Sequence, residues 1–430
     1  MPCGHVSRRP TGRHLPEGRS AVLGRLARPV RQPLWALDRI GKLVLPNEAY
    51  ARIRFGSSGS CRARLRRAIE PVRPPIFVFP PPSVAWGYLF QRPQQMAVAL
   101  AQLGMSVVYA ADSSFSGLPD RRIRGAGRLA DGLTLFADGR GCSSVTSLGV
   151  PLVCWQYWPH QSGFRRRLPP DSALIYDRLD DLSIFESYPG LVEDDRQTLA
   201  EADLVLATSS RLEKEVRRQR PDVLLVPNAV AYDDFASPAV ARDPALEGLR
   251  ARSGTLVGYF GALADWIDWD LLVEVARARP DWTLLMVGDR IACDGPSERL
   301  AREPNVVLWP RRAYRALGQL LLAFDVAILP FRINDATRAV SPIKAFEYMA
   351  GGKPVVSTPL PEVLKYPEIK VADTVAGFIR EIEWALGAGQ EEGHRRALQA
   401  RARRNTWRRR AGAVIERLQS MNVIERSGHG

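Results

Sequence analysis

Residues 341–361 read SPIKAFEYMAGGKPVVSTPLP, and this stretch decides the fold class. Ser341 is a good N-cap, and Pro342 suits the first helical position, where its missing N–H costs nothing. Ile343, Phe346 and Ala350 recur at i, i+3 and i+7 and predict a buried stripe, while Lys344 and Glu347 sit three apart on another face. Gly351 and Gly352 end the helix. Pro354-Val355-Val356 then opens a short β-branched strand closed by Pro359, as in a parallel strand buried on both faces. Loop, helix and buried strand in that order make half of a nucleotide-binding α/β unit, and the helix N-terminus, with unpaired N–H groups and a partial positive charge, is a seat for a phosphate or diphosphate.

Working outward, the same alternation recurs in both directions. On the N-terminal side Ile76–Phe79 is a short apolar run, followed by a loop, a helix ending near Leu103 and a second run at Ser106–Tyr109; this is a βαβ unit. Further strands are expected at Leu133–Phe136, Leu152–Trp155, Leu174–Tyr176, Leu204–Ala207 and Val223–Val226. The second half restarts at Leu256–Phe260, with strands at Trp282–Val287, Val306–Leu308 and Val326–Leu329. A chain of 430 residues exceeds the usual size of a single core. The expected plan is therefore α/β with two facing Rossmann-like domains: a basic extension at 1–75, an N-terminal domain at 76–235, a C-terminal domain at 236–394, and a helix and tail at 395–430.

Open parallel sheets bind ligands in the loops beyond the carboxyl ends of their strands. Trp86, Gln91 and Arg92 occupy the first such loop; Trp158 and His160 follow a central strand; Asp177, Asp180 and Asp181 follow the next. In the second half Gly261 allows close backbone approach to a phosphate, and Arg290, Arg338 and Lys344 are the cationic candidates. Trp86, Trp155, Trp158, Trp266 and Trp269 lie in or beside these loops, and aromatic rings suit the flat C–H faces of sugars as well as core packing.

The net charge of +14 is segregated: +12 in residues 1–75 and +8 in 395–417 leave the body, 76–394, at −6. An acidic body with basic ends does not fit a nucleic-acid reader. It fits an enzyme that touches an anionic surface, and LWALDRIGKLVL, Leu34–Leu45, has the spacing of a helix lying in a bilayer interface. No run reaches the 18 to 20 apolar residues of a membrane span, and no signal peptide is expected. Five scattered cysteines without C-x-x-C spacing argue against a zinc site or a disulfide framework and suit a reducing cytosol.

The run FDVAILPFRINDATRAVSPIKAFEYMAGGKPVVSTPLPEV, residues 324–363, resembles the donor-site signature of GT-B glycosyltransferases of the retaining, family-4-like group. WGYLFQRPQQMAVALAQLGMSVVYA, IYDRLDDLSIF and EADLVLATSS followed by VPNAV are similar to successive parts of the N-terminal domain of bacterial polysaccharide-type members. The resemblance implies a hexosyl-type transferase that moves a sugar from a nucleotide-sugar co-substrate to a saccharide or lipid-linked acceptor, with retention and without a cofactor or bound metal. It implies that Glu347 holds the donor ribose, that Ser341 and the helix N-terminus face the diphosphate, and that a C-terminal helix crosses back to the first domain. Donor contacts are then expected from Gly261, Arg290, Arg338, Ser341, Lys344 and Glu347, and acceptor contacts from Trp86, Gln91, Arg92, Trp158 and Asp181. Should the reaction invert, Asp180 or His160 would be the base. Two departures stand out: Ala339 replaces a glutamate of the family pattern, with Asn334, Asp335 or Thr337 nearby as substitutes, and Asp265 and Asp268 stand where an arginine and a lysine are usual. A sugar-nucleotide epimerase of the same plan and an inactive homologue are the alternatives. The expected location is the cytoplasm, at the inner face of the plasma membrane.

Overall fold

The computed structural model describes residues 47–72, 74–86, 90–111, 125–182 and 190–424. The chain divides into two units, Met1–Tyr50 and Ala51–Gly430; only 47–50 of the first are described, so the Leu34–Leu45 segment lies outside the described residues, and the second carries both sheets.

The first sheet contains β1 (Ile76–Phe79), β2 (Ser106–Ala110), β3 (Ala126–Ala130), β4 (Leu133–Phe136), β5 (Leu152–Gln156), β6 (Ala173–Arg178), β7 (Leu204–Ala207) and β8 (Leu224–Leu225), in the order β3-β4-β2-β1-β5-β6-β7-β8. All neighbours are parallel except β3 and β4. The second sheet contains β9 (Thr255–Phe260), β10 (Trp282–Val287), β11 (Val306–Trp309), β12 (Val326–Leu329), β13 (Val355–Ser357) and β14 (Lys370–Val371), ordered β11-β10-β9-β12-β13-β14 and wholly parallel. β1, β2, β4, β5, β7 and β12 are buried along their whole length, which is why they read as continuous apolar runs. β3 (AGRLA) is half-buried to exposed on the sheet edge. It lacks that apolar run and is a strand the sequence did not signal.

The helices that position the site are α1 (Ser58–Ile69), α2 (Arg92–Gln102), α3 (Ser210–Val216), α4 (Trp269–Ala278), α5 (Ile343–Ala350), α6 (Glu392–Arg404) and α7 (Trp407–Ser420). Ser57, Ser209, Asp268 and Thr406 cap α1, α3, α4 and α7 through their side chains. α1 falls inside the expected basic extension, yet it buries Cys61, Leu65 and Ile69. The Thr134 hydroxyl of β4 donates to the Ala68 carbonyl at 3.2 Å, and the Arg66 guanidinium to the Leu148 carbonyl at 3.0 Å. This part of the extension therefore belongs to the first sheet's packing.

The chain passes between the two sheets at Val230 and returns at Asn405–Trp407, and the two crossings lie side by side. The Val230 N–H donates to the Asn405 carbonyl (3.1 Å) and the Trp407 N–H to the Val230 carbonyl (3.2 Å). α7 then returns to the first domain, where Trp407, Ala411, Val414, Ile415 and Leu418 join the core that holds Phe79, Met96 and Leu100. Burial of Trp407 is what fastens this return. Trp407→Ala should cost about 3–5 kcal/mol, lower the urea midpoint of the first unfolding transition, and loosen the backbone at the crossing so that trypsin cuts faster at its arginines; an unchanged midpoint and digestion rate would contradict the role given to this side chain.

Candidate active site

A cleft of about 810 Å³ lies where the carboxyl ends of the two sheets meet. The first domain contributes Phe90, Gln91, Arg92, Leu179, Asp180, Asp181 and Thr208; the second contributes the loops after β9, β10, β11 and β12. Asn228, between β8 and β9, lines it as well. Phe90 meets Tyr314 across the cleft with ring centroids 5.1 Å apart.

On the second-domain side the backbone is packed to its steric limit. Gly261 has φ +155°, and its N–H donates to the Val287 carbonyl at 2.9 Å. A Cβ on Gly288 would fall 1.7 Å from the Gly261 carbonyl oxygen, so only glycine fits there. Both glycines line the cleft, as the sequence expected of Gly261. Beside them stand Arg311, whose Nε is 2.9 Å from Asp289 Oδ2, and Arg312, whose guanidinium lies 4.8 Å from the Trp309 ring centroid. Arg290 and Arg338, the expected cations, are exposed and are not among the lining residues. Arg311, Arg312 and Tyr314 were missed; the available signal was a basic pair directly after an apolar strand.

α5 begins one residue later than the sequence suggests, within the usual uncertainty of a helix end. Pro342 takes the N-cap position and makes no side-chain cap bond. The Ser341 hydroxyl is used elsewhere: its oxygen accepts from the Asn228 N–H at 3.1 Å, and the Ser341 carbonyl accepts from Asn228 Nδ2 at 2.7 Å. Lys344 lines the cleft and its Nζ is 2.9 Å from Glu347 Oε2. Glu347 itself is 1% exposed and lies behind this ammonium. The expected Lys344–Glu347 pair is thus present, but its carboxylate is in the core. Burial first, and then the Glu347 charge, hold the Tyr314 phenol well above its ordinary pKa. Ala339 is buried. Asn334 and Thr337 line the cleft but satisfy each other's backbone N–H groups across one turn.

On the first-domain side Arg92 is 2% exposed. Its Nε and Nη2 donate to Asp177 at 2.8 and 2.9 Å, and Nη1 donates to Asn228 Oδ1 at 3.3 Å. Trp155 Nε1 donates to the same Asp177 carboxylate at 2.9 Å. Gln91, at the start of α2, is exposed and faces the cleft. Asp181 is 3.7 Å from Arg211, which also pairs with Asp335 of the second domain at 3.2 Å. Trp86 packs edge-on against Tyr109 and Phe90, and Trp158 packs against the first core beside His160. Trp86, Trp158 and His160 are not among the lining residues. Of the five tryptophans near the loops only Trp266 lines the cleft; Trp155 and Trp269 are fully buried.

Residues 254–387 match the model of the family described as glycosyl transferases group 1. The chain has the GT-B fold. Among solved structures, α,α-trehalose 6-phosphate synthase from Burkholderia multivorans superposes with a TM-score of 0.59 at 13% identity, covering 83% of this chain and 99% of the other. The HepE protein of Anabaena in complex with UDP gives 0.55 at 16% identity, covering 80% and 99%. A Bacillus subtilis (strain 168) protein provisionally named as the teichuronic acid biosynthesis glycosyltransferase TuaH is 32% identical over 216 residues, 48% of this chain and 54% of that one. The match thus spans about half of that curated relative's length.

Asp180 lines the GT-B cleft with its carboxyl pushed up to about 6, chiefly by burial; Arg92 pulls it down, and Asp177 and Asp181 push it up. Its folded pKa lies above the ordinary value of about 3.9, so the stability it contributes is fully present below about pH 4 and is lost as pH rises through 6. Asp180→Asn should therefore melt at a temperature that falls less between pH 4 and 7 than that of the unaltered protein. Parallel pH profiles for the two proteins would show that this carboxyl titrates normally.

Proposed function

We propose that the protein transfers a hexosyl group from a nucleoside-diphosphate sugar to a saccharide or lipid-linked acceptor in the synthesis of a cell-surface polysaccharide or glycoconjugate. One observation carries the reading. The uncapped N-terminus of α5, the Gly261–Gly288 contact and the Lys344, Arg311 and Arg312 cations line one side of a single cleft together with Asp265 and Asp289, and Asp180 and Asp181 of the other domain face them beside Arg92. The group-1 match over residues 254–387 falls on the donor half, and the named relatives include a teichuronic acid transferase and a UDP complex.

In this reading the diphosphate sits at the N-terminus of α5, where open N–H groups and the helix dipole stabilise negative charge. Lys344 has two anions within its range, Glu347 and the incoming diphosphate. If Lys344 turns to the phosphates, Glu347 is uncovered and becomes a strong acceptor for a ribose hydroxyl. Arg311 and Arg312 add positive charge at the far loop. The leaving nucleoside diphosphate is stabilised by these fixed donors, the electrostatic contribution that dominates such transfers. Retention is the course the resemblance implies, with the leaving phosphate helping to deprotonate the acceptor. An inverting course would need a side-chain base, and of Asp180 and His160 only Asp180 lines the cleft. The acceptor would lie against Gln91, Asp180 and Asp181.

Incubation of the purified protein with a panel of sugar nucleotides, with and without a saccharide acceptor, tests the reading: nucleoside diphosphate should be released only when acceptor is present. Conversion of the donor alone would indicate an epimerase, and binding without turnover an inactive homologue. Glu347→Gln should weaken donor binding by roughly 10- to 150-fold, the worth of a charged hydrogen bond of about 1.5–3 kcal/mol. Lys344→Met should weaken nucleoside diphosphate binding far more than nucleoside binding, and equal losses in calorimetry would remove Lys344 from the phosphates.

The basic ends are proposed to hold the enzyme at an anionic membrane surface on the cytoplasmic side. Among the described residues no helix is long and apolar enough to cross a membrane, and Arg403, Arg404, Arg408 and Arg409 are exposed at the crossing between α6 and α7. Because α1 is part of the first domain's packing, the truncation that tests this stops at residue 46. Removing 1–46 should abolish salt-sensitive sedimentation with anionic vesicles while turnover of a soluble acceptor persists. Vesicle binding that ignores both truncation and ionic strength would rule out an electrostatic anchor.

A further inference from the structure

We infer that Asn228, in the linker between β8 and β9, is a positioning residue that orients the donor diphosphate seat from outside the donor domain; the inference rests on the reading of the cleft as a nucleotide-sugar site. Two of its groups engage one residue. The Asn228 N–H donates to the Ser341 hydroxyl oxygen, and Nδ2 donates to the Ser341 carbonyl. A hydroxyl that accepts in this way keeps its own proton to donate, and Ser341 lines the cleft immediately before the uncapped turn of α5. The Ser341 carbonyl, an acceptor that would repel an anion at this point, is occupied by the amide. Ser341 is thereby turned from an ordinary helix cap into a hydroxyl donor beside the open N–H groups of Ile343 and Lys344.

The orientation of Asn228 is itself fixed. Arg92 Nη1 donates to Asn228 Oδ1 at 3.3 Å, which places the amide oxygen toward the guanidinium and the NH₂ toward Ser341. Arg92 in turn cannot rotate without breaking its two bonds to Asp177. A buried ion pair of the first domain thus sets the geometry of an anion seat in the second, and Arg92, expected as an acceptor ligand, acts through Asn228.

The test uses calorimetry on the full chain with UDP, GDP, ADP and dTDP, followed by the best binder and its parent nucleoside. Asn228→Ala should lose about tenfold in diphosphate affinity, the worth of one hydrogen bond, and less than twofold for the nucleoside. Asn228→Asp, nearly isosteric, keeps the backbone N–H but sets a negative oxygen against the Ser341 carbonyl; it should lose more diphosphate affinity than Asn228→Ala and again spare the nucleoside. Asn228→Ala frees the Ser341 backbone carbonyl, which Ser341→Ala leaves in place, so the double variant should bind diphosphate more weakly than Ser341→Ala alone. Equal losses for diphosphate and nucleoside, or a double variant no weaker than Ser341→Ala alone, would overturn the role of Asn228. Failure of the unaltered protein to bind any nucleoside diphosphate would overturn the reading of the cleft itself.

Discussion

The carboxylate of Asp177, at the carboxyl end of β6, takes three hydrogen bonds from below the cleft: two from the Arg92 guanidinium and one from the Trp155 indole. Both charges are almost wholly buried. Two ions at this depth are stable because they pair with each other and find further hydrogen bonds in Trp155 and Asn228; removing one would leave an uncompensated buried charge, a penalty of about 3–5 kcal/mol. The rest of the site hangs from this pair. Arg92 opens α2, its guanidinium lies 6.0 Å from the Trp407 ring on the returning α7, and its Nη1 reaches Asn228 and through it Ser341. One ion pair therefore joins the first sheet, the C-terminal helix, the linker and the segment that leads into α5.

The second domain answers with contacts that rely on shape more than on charge. Gly288 lies against the Gly261 carbonyl, and Gly258 would carry a Cβ 2.4 Å from the Phe324 ring, so β9, β10 and β12 hold a spacing that larger residues would force apart. Above that rigid base the charged groups are mobile in kind: Lys344 has a flexible stem and a point charge, suited to changing partners, whereas the bidentate Arg92 is suited to staying. Beyond the cleft, Glu362 of the second domain accepts from the Ser210 N–H of α3 at 2.8 Å, and Lys365 bonds both residues. The two domains are thus tied at the linker and at α3, while Phe90 and Tyr314 only touch.

The fold was legible wherever burial is two-sided. Runs such as IFVF, LVLA and VAIL can be little else than interior parallel strands, and the strand–helix alternation then fixes the doubly wound plan. β3 escaped because an exposed edge strand needs no apolar pattern. Of the candidate cleft, the close backbone approach at Gly261 was legible in the sequence, whereas the start of α5 falls one residue later than expected and long side chains choose among partners the sequence does not name. Sequence places Arg92, Arg290 and Arg338 in similar loops, but only the structure separates a clamped arginine from two solvated ones. Asn228 was visible merely as part of a segment ending the first domain, because its role depends on a residue 113 positions away.

The proposed transfer depends on the donor diphosphate binding at the N-terminus of α5 and drawing Lys344 away from Glu347. A crystal structure with the tightest-binding nucleoside diphosphate measures this directly. Phosphate oxygens are expected within hydrogen-bonding distance of the Ile343 and Lys344 N–H groups and of Lys344 Nζ, with Glu347 bonded to the ribose. A nucleotide bound elsewhere in the cleft, or one seated there with the 2.9 Å Lys344–Glu347 pair intact, would contradict it.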